Sequence, residues 1–155
     1  MKNKQTIFAY VIAGLLTGAF VCAATPAGAD CQPVSGTTVA VIGAPSPSCP
    51  VATVAGDVFD DNDNLIGTIT ACLSSVTPRG DGALHVVLGH TFSIGTLVFA
   101  TEDRLVLAPI APPLYRVNNS LTIVSGASGF LRTHGTVNFA TGEVNLRFNG
   151  LICTE

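Results

Sequence analysis

The sequence predicts an all-β domain built from eight short antiparallel strands. Three observations point to this class. β-branched and aromatic residues gather in short runs between turn residues, no run develops the apolar spacing of a helix, and the last two runs alternate apolar with polar side chains. Eight strands at this spacing fit either a two-sheet sandwich or a closed barrel. Composition does not separate these two architectures.

The last hairpin carries the clearest pattern. Every second position of its two arms is apolar, at Val137, Phe139, Val144, Leu146 and Phe148. Thr141 and Gly142 supply the turn between the arms. A two-residue period places the apolar side chains on one face of the strand and the polar side chains on the solvent-exposed face. These strands therefore cover a core.

The remaining six predicted strands lie earlier in the chain, at residues 51–59, 65–74, 83–89, 92–101, 104–108 and 120–124. Residues 108–119 connect the last two of them and contain three prolines together with Tyr115 and Arg116. Such a stiff segment is either a rigid crossing loop or a lid that contacts a ligand.

The N-terminus reads as an export signal. Lys2 and Lys4 precede an apolar run over residues 7–24, and Ala27-Gly28-Ala29 has the small-x-small pattern of a cleavage site. We predict a signal peptide over residues 1–29, cleaved after Ala29; an uncleaved membrane anchor is the alternative. The mature protein would be periplasmic or extracellular, with no membrane attachment after cleavage.

Composition excludes several functions. The chain has 155 residues, of which only 11% are charged, so it forms one small domain and is not intrinsically disordered. Both lysines lie in the leader, and the ten acidic residues outnumber the arginines that remain. An acidic surface without lysine does not neutralise phosphates, so nucleic acid is excluded as a partner.

Four cysteines remain after cleavage: Cys31, Cys49, Cys72 and Cys153. An even number in an exported chain predicts two disulfides, and none of the spacings is the C-x-x-C of a zinc or redox site. Four cysteines allow three pairings, and the sequence does not choose among them. We favour Cys31 with Cys49 and Cys72 with Cys153.

Two segments resemble a known group of barrels. Residues 58–67 resemble the first hairpin of the allene oxide cyclase and dirigent barrel superfamily, and residues 123–130, with Gly135, are similar to its glycine-rich signature. Residues 135–144 and 149–152 resemble the closing hairpin of secreted bacterial barrels of this type. The resemblance implies an eight-stranded antiparallel barrel, disulfide-stabilised here, whose lumen holds a small hydrophobic molecule and steers its cyclisation or coupling.

We also predict a domain division, and the resemblance implies structural roles. Residues 30–50 would form an N-terminal extension, and residues 51–155 a single barrel domain. Gly126 and Gly129 suit a sharp turn with positive φ, Gly135 completes the signature, and Phe130 would plug one end of the barrel.

Candidate ligand-binding residues are Tyr115, Arg116, His85, Phe139 and Phe148. No catalytic residue is assigned, because no nucleophile elbow, phosphate loop, dinucleotide motif or other hydrolase or oxidoreductase signature is present. We predict no cofactor and no metal. His85 and His90 are five residues apart, which sends them to opposite faces of a strand, and each reads as a surface or rim residue. Residues 60–64 read as a hairpin turn and not as a calcium loop.

Two functional hypotheses follow. The first is a barrel that binds a small hydrophobic molecule; if it is an enzyme, it is an isomerase, cyclase or dirigent-like protein that holds a reactive conformer without covalent catalysis. The second is a noncatalytic secreted module whose outer face mediates homo-oligomerisation or contact with another partner. A large liganded lumen in a monomer would favour the first hypothesis.

Overall fold

The computed structural model describes residues 30–154, which form a closed antiparallel barrel. Each strand pairs with the next in sequence, and β1 pairs with β8 to close the ring. The predicted fold class is therefore confirmed. The strands are β1 (Asp30–Gly43), β2 (Ala52–Phe59), β3 (Leu65–Pro78), β4 (Leu84–Ile94), β5 (Leu97–Ala111), β6 (Leu114–Ser125), β7 (Ser128–Asn138) and β8 (Glu143–Thr154).

Strand boundaries differ from the prediction at two places. The three strands predicted over residues 83–108 are the two strands β4 and β5, which turn at Gly95 with φ 57°. Residues 30–43, assigned to an extension, form β1 and pair with both β2 and β8. Pro33 and Gly36 weaken the strand pattern there, but backbone pairing with β8 overrides local propensity. The predicted signal peptide falls on residues 1–29, outside the described residues.

Both disulfides differ from the favoured pairing. Cys31 is bonded to Cys153, and Cys49 to Cys72. The first bridge joins residues that stand opposite each other in the β1–β8 ladder. The second pins the segment between β1 and β2 onto β3. The favoured pairing was wrong because it treated Cys31 as part of an extension, whereas barrel closure brings the two ends of the described chain together.

The segment with three prolines is not a long loop. β5 continues to Ala111, and β6 starts at Leu114, so only Pro112 and Pro113 lie in the turn. Both alternatives predicted for residues 108–119, a rigid crossing loop and a lid, are therefore wrong. Pairing between β5 and β6 extends both strands into this segment, since Ala108 pairs with Arg116 and Pro109 with Tyr115.

One end of the barrel is packed solid. We call it the closed end; it lies where the β2–β3, β4–β5 and β6–β7 hairpins turn. Val58, Phe92 and Phe99 are 0%, 2% and 1% exposed there, and the two phenyl rings stack with centroids 4.9 Å apart. The plug predicted at Phe130 is wrong, because this side chain lies on the outer face beneath the guanidinium of Arg132.

Among residues 30–154, no helix is long and apolar enough to cross a bilayer.

The opposite end of the barrel is less tightly filled. We call it the open end; it lies where the β3–β4, β5–β6 and β7–β8 hairpins turn. Ile42, Tyr115 and Phe139 pack against the core there and are only half-buried. Tyr115 meets Phe139 edge to face, with centroids 5.6 Å apart. The lumen is therefore sealed at one end and rimmed by aromatic side chains at the other.

Candidate functional site

The candidate site is a cavity of about 80 Å³ inside the barrel. All eight strands contribute inward-facing side chains to its wall, which follows from the two-residue alternation of each strand. The wall is apolar at all but four positions. These polar positions are Thr38, His90, Asn119 and Thr133.

A buried hydrogen-bonded cluster stands behind one part of this wall. Nδ1 of His90 lies 2.9 Å from Oδ2 of Asp103 and 3.1 Å from Oγ1 of Thr101. The Thr101 hydroxyl also donates to Oδ2 of Asp103 over 3.2 Å. Asp103 and Thr101 are 4% and 1% exposed. We call these three residues the His90 cluster.

Two enclosed polar atoms near the cavity have no partner among residues 30–154. They are Oδ1 of Asp103, an acceptor, and Nδ2 of Asn119, a donor. Buried polar groups are nearly always paired in folded proteins, since an unmet group costs about 1–3 kcal/mol. Two such atoms, one accepting and one donating, leave this part of the barrel interior incompletely paired.

Neighbouring strands bring Asn119 close to the His90 cluster. Glu102, which precedes Asp103, pairs with Thr122 on β6, and Asn119 lies three residues before Thr122. Asn119 itself pairs with Thr133 on β7. Polar side chains therefore form a band across four consecutive strands, from β4 to β7.

The structure separates the predicted ligand-binding residues. Phe139 and Phe148 line the cavity, and Tyr115 points inward against Phe139 at the open end. His85 and Arg116 are exposed on the outer face, so neither reaches the lumen. His85 instead lies beside Arg79, whose Nη1 is 3.3 Å from its Nε2.

His90 is the residue that the sequence analysis misjudged. It was expected at the surface or rim, but it is buried and lines the cavity. The sequence does contain a signal for buried polar partners, and it lies in β5. Four residues share one face of that strand by alternation: Phe99, Thr101, Asp103 and Leu105. Dividing that strand between residues 101 and 104 concealed the shared face of Thr101 and Asp103.

The described residues contain no group of three or more histidine, cysteine or acidic side chains that could hold a metal. The acidic turn at residues 60–64 is a hairpin turn held by Asp60. Its Oδ1 accepts from the backbone N–H groups of Asn62 and Asn64 at 2.8 and 2.9 Å. Hydrogen bonds from Asn64, followed by one from Asn62, hold the pKa of Asp60 below its ordinary value of 3.8.

A solved structure shares this architecture. A nonspecific heme-binding cyclase that catalyses a [4 + 2] cycloaddition during neoabyssomicin biosynthesis superposes with a TM-score of 0.54 at 9% identity. The chain has this cyclase's barrel fold. The match covers 83% of this chain and 66% of the cyclase, so the chain spans just under two thirds of that protein's length.

The pterocarpan synthase dirigent protein GePTS1 is a second neighbour. It superposes with a TM-score of 0.47 at 15% identity, over 79% of this chain and 89% of the dirigent protein. No protein-family model and no curated protein matches the sequence. At these identities the likeness concerns the fold alone.

Proposed function

We propose that this barrel binds a small hydrophobic molecule in its lumen and holds it in a conformation that favours cyclisation or coupling. The observation that carries the proposal is the apolar cavity of about 80 Å³ with a narrow polar band on one wall. Ligand sites in proteins combine a mostly apolar surface with a few placed polar groups. A structurally similar barrel hosts a cycloaddition, which supports the chemistry by analogy of fold.

The size of the cavity bears on the class of ligand. Drug-sized ligands occupy pockets of about 300–1,000 Å³, so the lumen suits a compact molecule. Leu88, Leu105 and Leu146 line the cavity and are only half-buried. Rotation of these leucines would enlarge the space toward the open end at modest cost, because their side chains are incompletely packed.

Catalysis in such a site would be noncovalent. A close-fitting lumen selects the folded conformer of a flexible substrate, and alignment of the reacting atoms lowers the barrier. The wall of the cavity contains no serine, cysteine or lysine side chain.

Export of the mature chain belongs to the same proposal. Both disulfides join residues beyond the predicted cleavage site at Ala29, and disulfides persist in oxidising compartments. We place the working protein in the periplasm or outside the cell, beginning at Asp30.

Two measurements test the binding proposal. The first is native, non-reducing mass spectrometry of protein recovered from the exported fraction, where we expect a chain that starts at Asp30, carries two disulfides and loses a small cargo on denaturation. The second is calorimetric titration of the same protein, freed of cargo, with toluene as an apolar probe. We expect saturable binding of one toluene per barrel.

A matched pair of variants tests whether toluene binds in the lumen. Ala71 lines the cavity, so Ala71→Leu fills it and should abolish toluene binding. Ala108 is exposed on the outer face, so Ala108→Leu should leave binding unchanged. Protein without cargo that does not bind toluene would overturn the proposal. A defined oligomer with those properties would favour the noncatalytic interaction module.

A further inference from the structure

We propose that the outer surface of β6, β7 and β8 binds an acidic polysaccharide, a polymer whose sugar residues carry carboxylate groups. We call the outward-facing side chains of these three strands the arginine face. The face lies outside the barrel, so binding there does not depend on what the cavity holds. Three features lead to the proposal: the positive charge of the face, arginines without ion pairs among residues 30–154, and a groove that combines an aromatic ring with polar side chains.

Charge is distributed unevenly over the barrel. The chain as a whole is acidic, with ten acidic residues against seven lysines and arginines. The three strands of the arginine face nevertheless contain a single acidic residue, Glu143, and four basic ones, which are Arg116, Arg132, His134 and Arg147. All four basic side chains are exposed. A locally positive surface on an acidic protein favours a negatively charged partner at that surface.

Strand register brings the basic side chains together. His134 on β7 pairs with Arg147 on β8, and Arg132 is the next outward residue along β7. Arg116 on β6 pairs with Thr136, the outward neighbour of His134 in the other direction. Directly paired side chains stand about 5 Å apart in an antiparallel sheet, and diagonal neighbours about 7–8 Å. Three arginines and one histidine therefore share one patch of the face.

The arginines of this patch have no carboxylate partner within residues 30–154. The ion pairs of the described chain join Arg79 to Asp81 and His90 to Asp103, and neither pair includes an arginine of the face. Like charges on neighbouring strands repel and lower stability. An anion bound across the patch would relieve this repulsion and meet guanidinium groups that are free to bind it.

An open groove of about 660 Å³ adjoins the patch on the side of the closed end. Pro33, Phe130 and Leu151 contribute apolar surface to the groove, and Ser35, Arg132 and Asn149 contribute polar groups. Phe130 is 46% exposed, and the guanidinium of Arg132 lies 5.9 Å from the centroid of its ring. The C–H face of a sugar ring packs on an aromatic side chain, and amide and guanidinium groups donate hydrogen bonds to sugar oxygens.

The composition of the face favours a polymer with sparse charge and many hydroxyl groups. Short polar side chains surround the arginines, at Asn118, Ser120, Thr136, Asn145 and Asn149. These side chains donate and accept hydrogen bonds, as sugar hydroxyls do. An arginine fork holds a carboxylate by two parallel hydrogen bonds. A phosphate polymer carries its charge more densely and is repelled by the acidic remainder of the protein.

A negative charge limits the groove on the side of β1. The hydroxyl of Ser35 donates a hydrogen bond to Oδ2 of Asp61 in the β2–β3 turn. A polyanion is repelled from this corner and attracted to the arginines. The favoured path therefore leads from the groove at Phe130 across β7 and β8 towards Arg147.

The test compares two galacturonate oligomers of equal length, one with free carboxylates and one fully methyl-esterified. The two share a sugar backbone and differ in charge. Titration of the oxidised mature protein, followed by the fluorescence anisotropy of an end-labelled oligomer, should show saturable binding of the acid. The acid should bind about tenfold or more tightly than the ester, because the ester cannot form charge-assisted hydrogen bonds with arginine. Added salt should weaken binding of the acid.

Matched variants locate the binding surface. Arg132→Gln and Arg147→Gln should each weaken binding of the acid about fivefold, since each removes a fork for a carboxylate. Arg104→Gln is the control, because Arg104 is exposed on β5, outside the arginine face, and it should change the affinity less than about twofold. The midpoints of urea unfolding should match that of the wild type in all three variants, which separates lost binding from lost folding.

Polyglutamate of the same charge distinguishes a sugar polymer from an acidic peptide. It offers no sugar ring to Phe130, so it should bind more weakly than the galacturonate, and Phe130→Ala should lower the affinity for the galacturonate alone. Equal affinities for the two polyanions would overturn the assignment to a polysaccharide. Absence of galacturonate binding, or binding that is unchanged in Arg132→Gln and Arg147→Gln, would overturn the site itself. Toluene binding in the lumen tests the proposed function separately from each of these outcomes.

Discussion

Cys31 and Cys153 stand opposite each other in the β1–β8 ladder, and their disulfide links strands at opposite ends of the described chain. The bridge spans 122 residues, against 23 for Cys49 and Cys72. In the chain-entropy account, a longer loop restrains the unfolded state more. Replacing both Cys31 and Cys153 by serine should cost about 4–5 kcal/mol, and replacing the other pair about 3 kcal/mol. Urea unfolding under oxidising conditions measures both losses.

The matched control is unfolding in the presence of a reductant. Once both bridges are open, the wild type and the two serine variants should have similar midpoints. A larger loss from removing Cys49 and Cys72 than from removing Cys31 and Cys153 would contradict the loop-length argument.

Phe99 should be the most sensitive aromatic position. It is 1% exposed and stacks on Phe92 at the closed end. Phe99→Ala would leave a cavity among packed side chains, and we expect a loss of about 3–5 kcal/mol in the free energy of unfolding. Phe130→Ala is the control, since Phe130 is 46% exposed and contacts Arg132; its loss should stay below about 1 kcal/mol. Similar losses in denaturant titrations would refute this account of the closed end.

The fold was predictable because apolar and polar side chains alternate strongly along a strand that has one face exposed to solvent. Val137 and Val144 show this in β7 and β8, where both are buried and pair with each other. The predicted count of eight strands agrees with the structure partly through two compensating errors. β1 was not predicted, and β4 with β5 was divided into three strands. Strand pairing across 122 residues, as between Cys31 and Cys153, leaves no local signal in the sequence.

The candidate site was less predictable than the fold. Phe139 and Phe148 follow from alternation alone, and both line the cavity. His90 and Asp103 meet only through the register of β4 and β5, in which His90 pairs with Thr101. A buried carboxylate also interrupts the apolar pattern by which a buried strand face is recognised in a sequence. Asp103 therefore points to a site in the structure but makes the inward face of β5 harder to recognise from the sequence.

Alanine substitutions at three glycines distinguish the stability cost of backbone strain from that of a steric collision. Gly126 has φ 82°, and a Cβ there would also collide with the carbonyl oxygen of Val98. Gly95 has φ 57° but open space around it, and Gly80 has open space and no positive φ. Substitution by alanine should therefore be neutral or slightly stabilising at Gly80, cost about 1–2 kcal/mol at Gly95, and cost more at Gly126.

The order of the three losses is the measurable result. Thermal and urea unfolding of Gly80→Ala, Gly95→Ala and Gly126→Ala should rank them as given. A loss at Gly126 no larger than that at Gly95 would mean that β5 yields to the added methyl group and that close approach is not required there.

Asp60 should make stability depend on pH in the acid range. Hydrogen bonds from Asn64 and Asn62 lower its pKa in the folded protein below the value of 3.8 expected when unfolded. Its stabilising contribution is therefore present above the unfolded pKa and is lost as the pH falls through the folded pKa. Asp60→Ala should lower the free energy of unfolding at neutral pH, and its deficit relative to the wild type should shrink as the pH falls below 3.8.

Asn64→Ala provides a graded control for this effect. It removes the side-chain donor of Asn64, whose Nδ2 lies 2.9 Å from Oδ2 of Asp60. It keeps the backbone N–H donor of residue 64, whose nitrogen lies 2.9 Å from Oδ1 of Asp60. The variant should retain part of the pH dependence, and carboxyl resonances followed by NMR should give Asp60 a pKa between the wild-type value and 3.8. A deficit of Asp60→Ala that stays constant from neutral to acidic pH would show that the turn is held by geometry and not by the charge of Asp60.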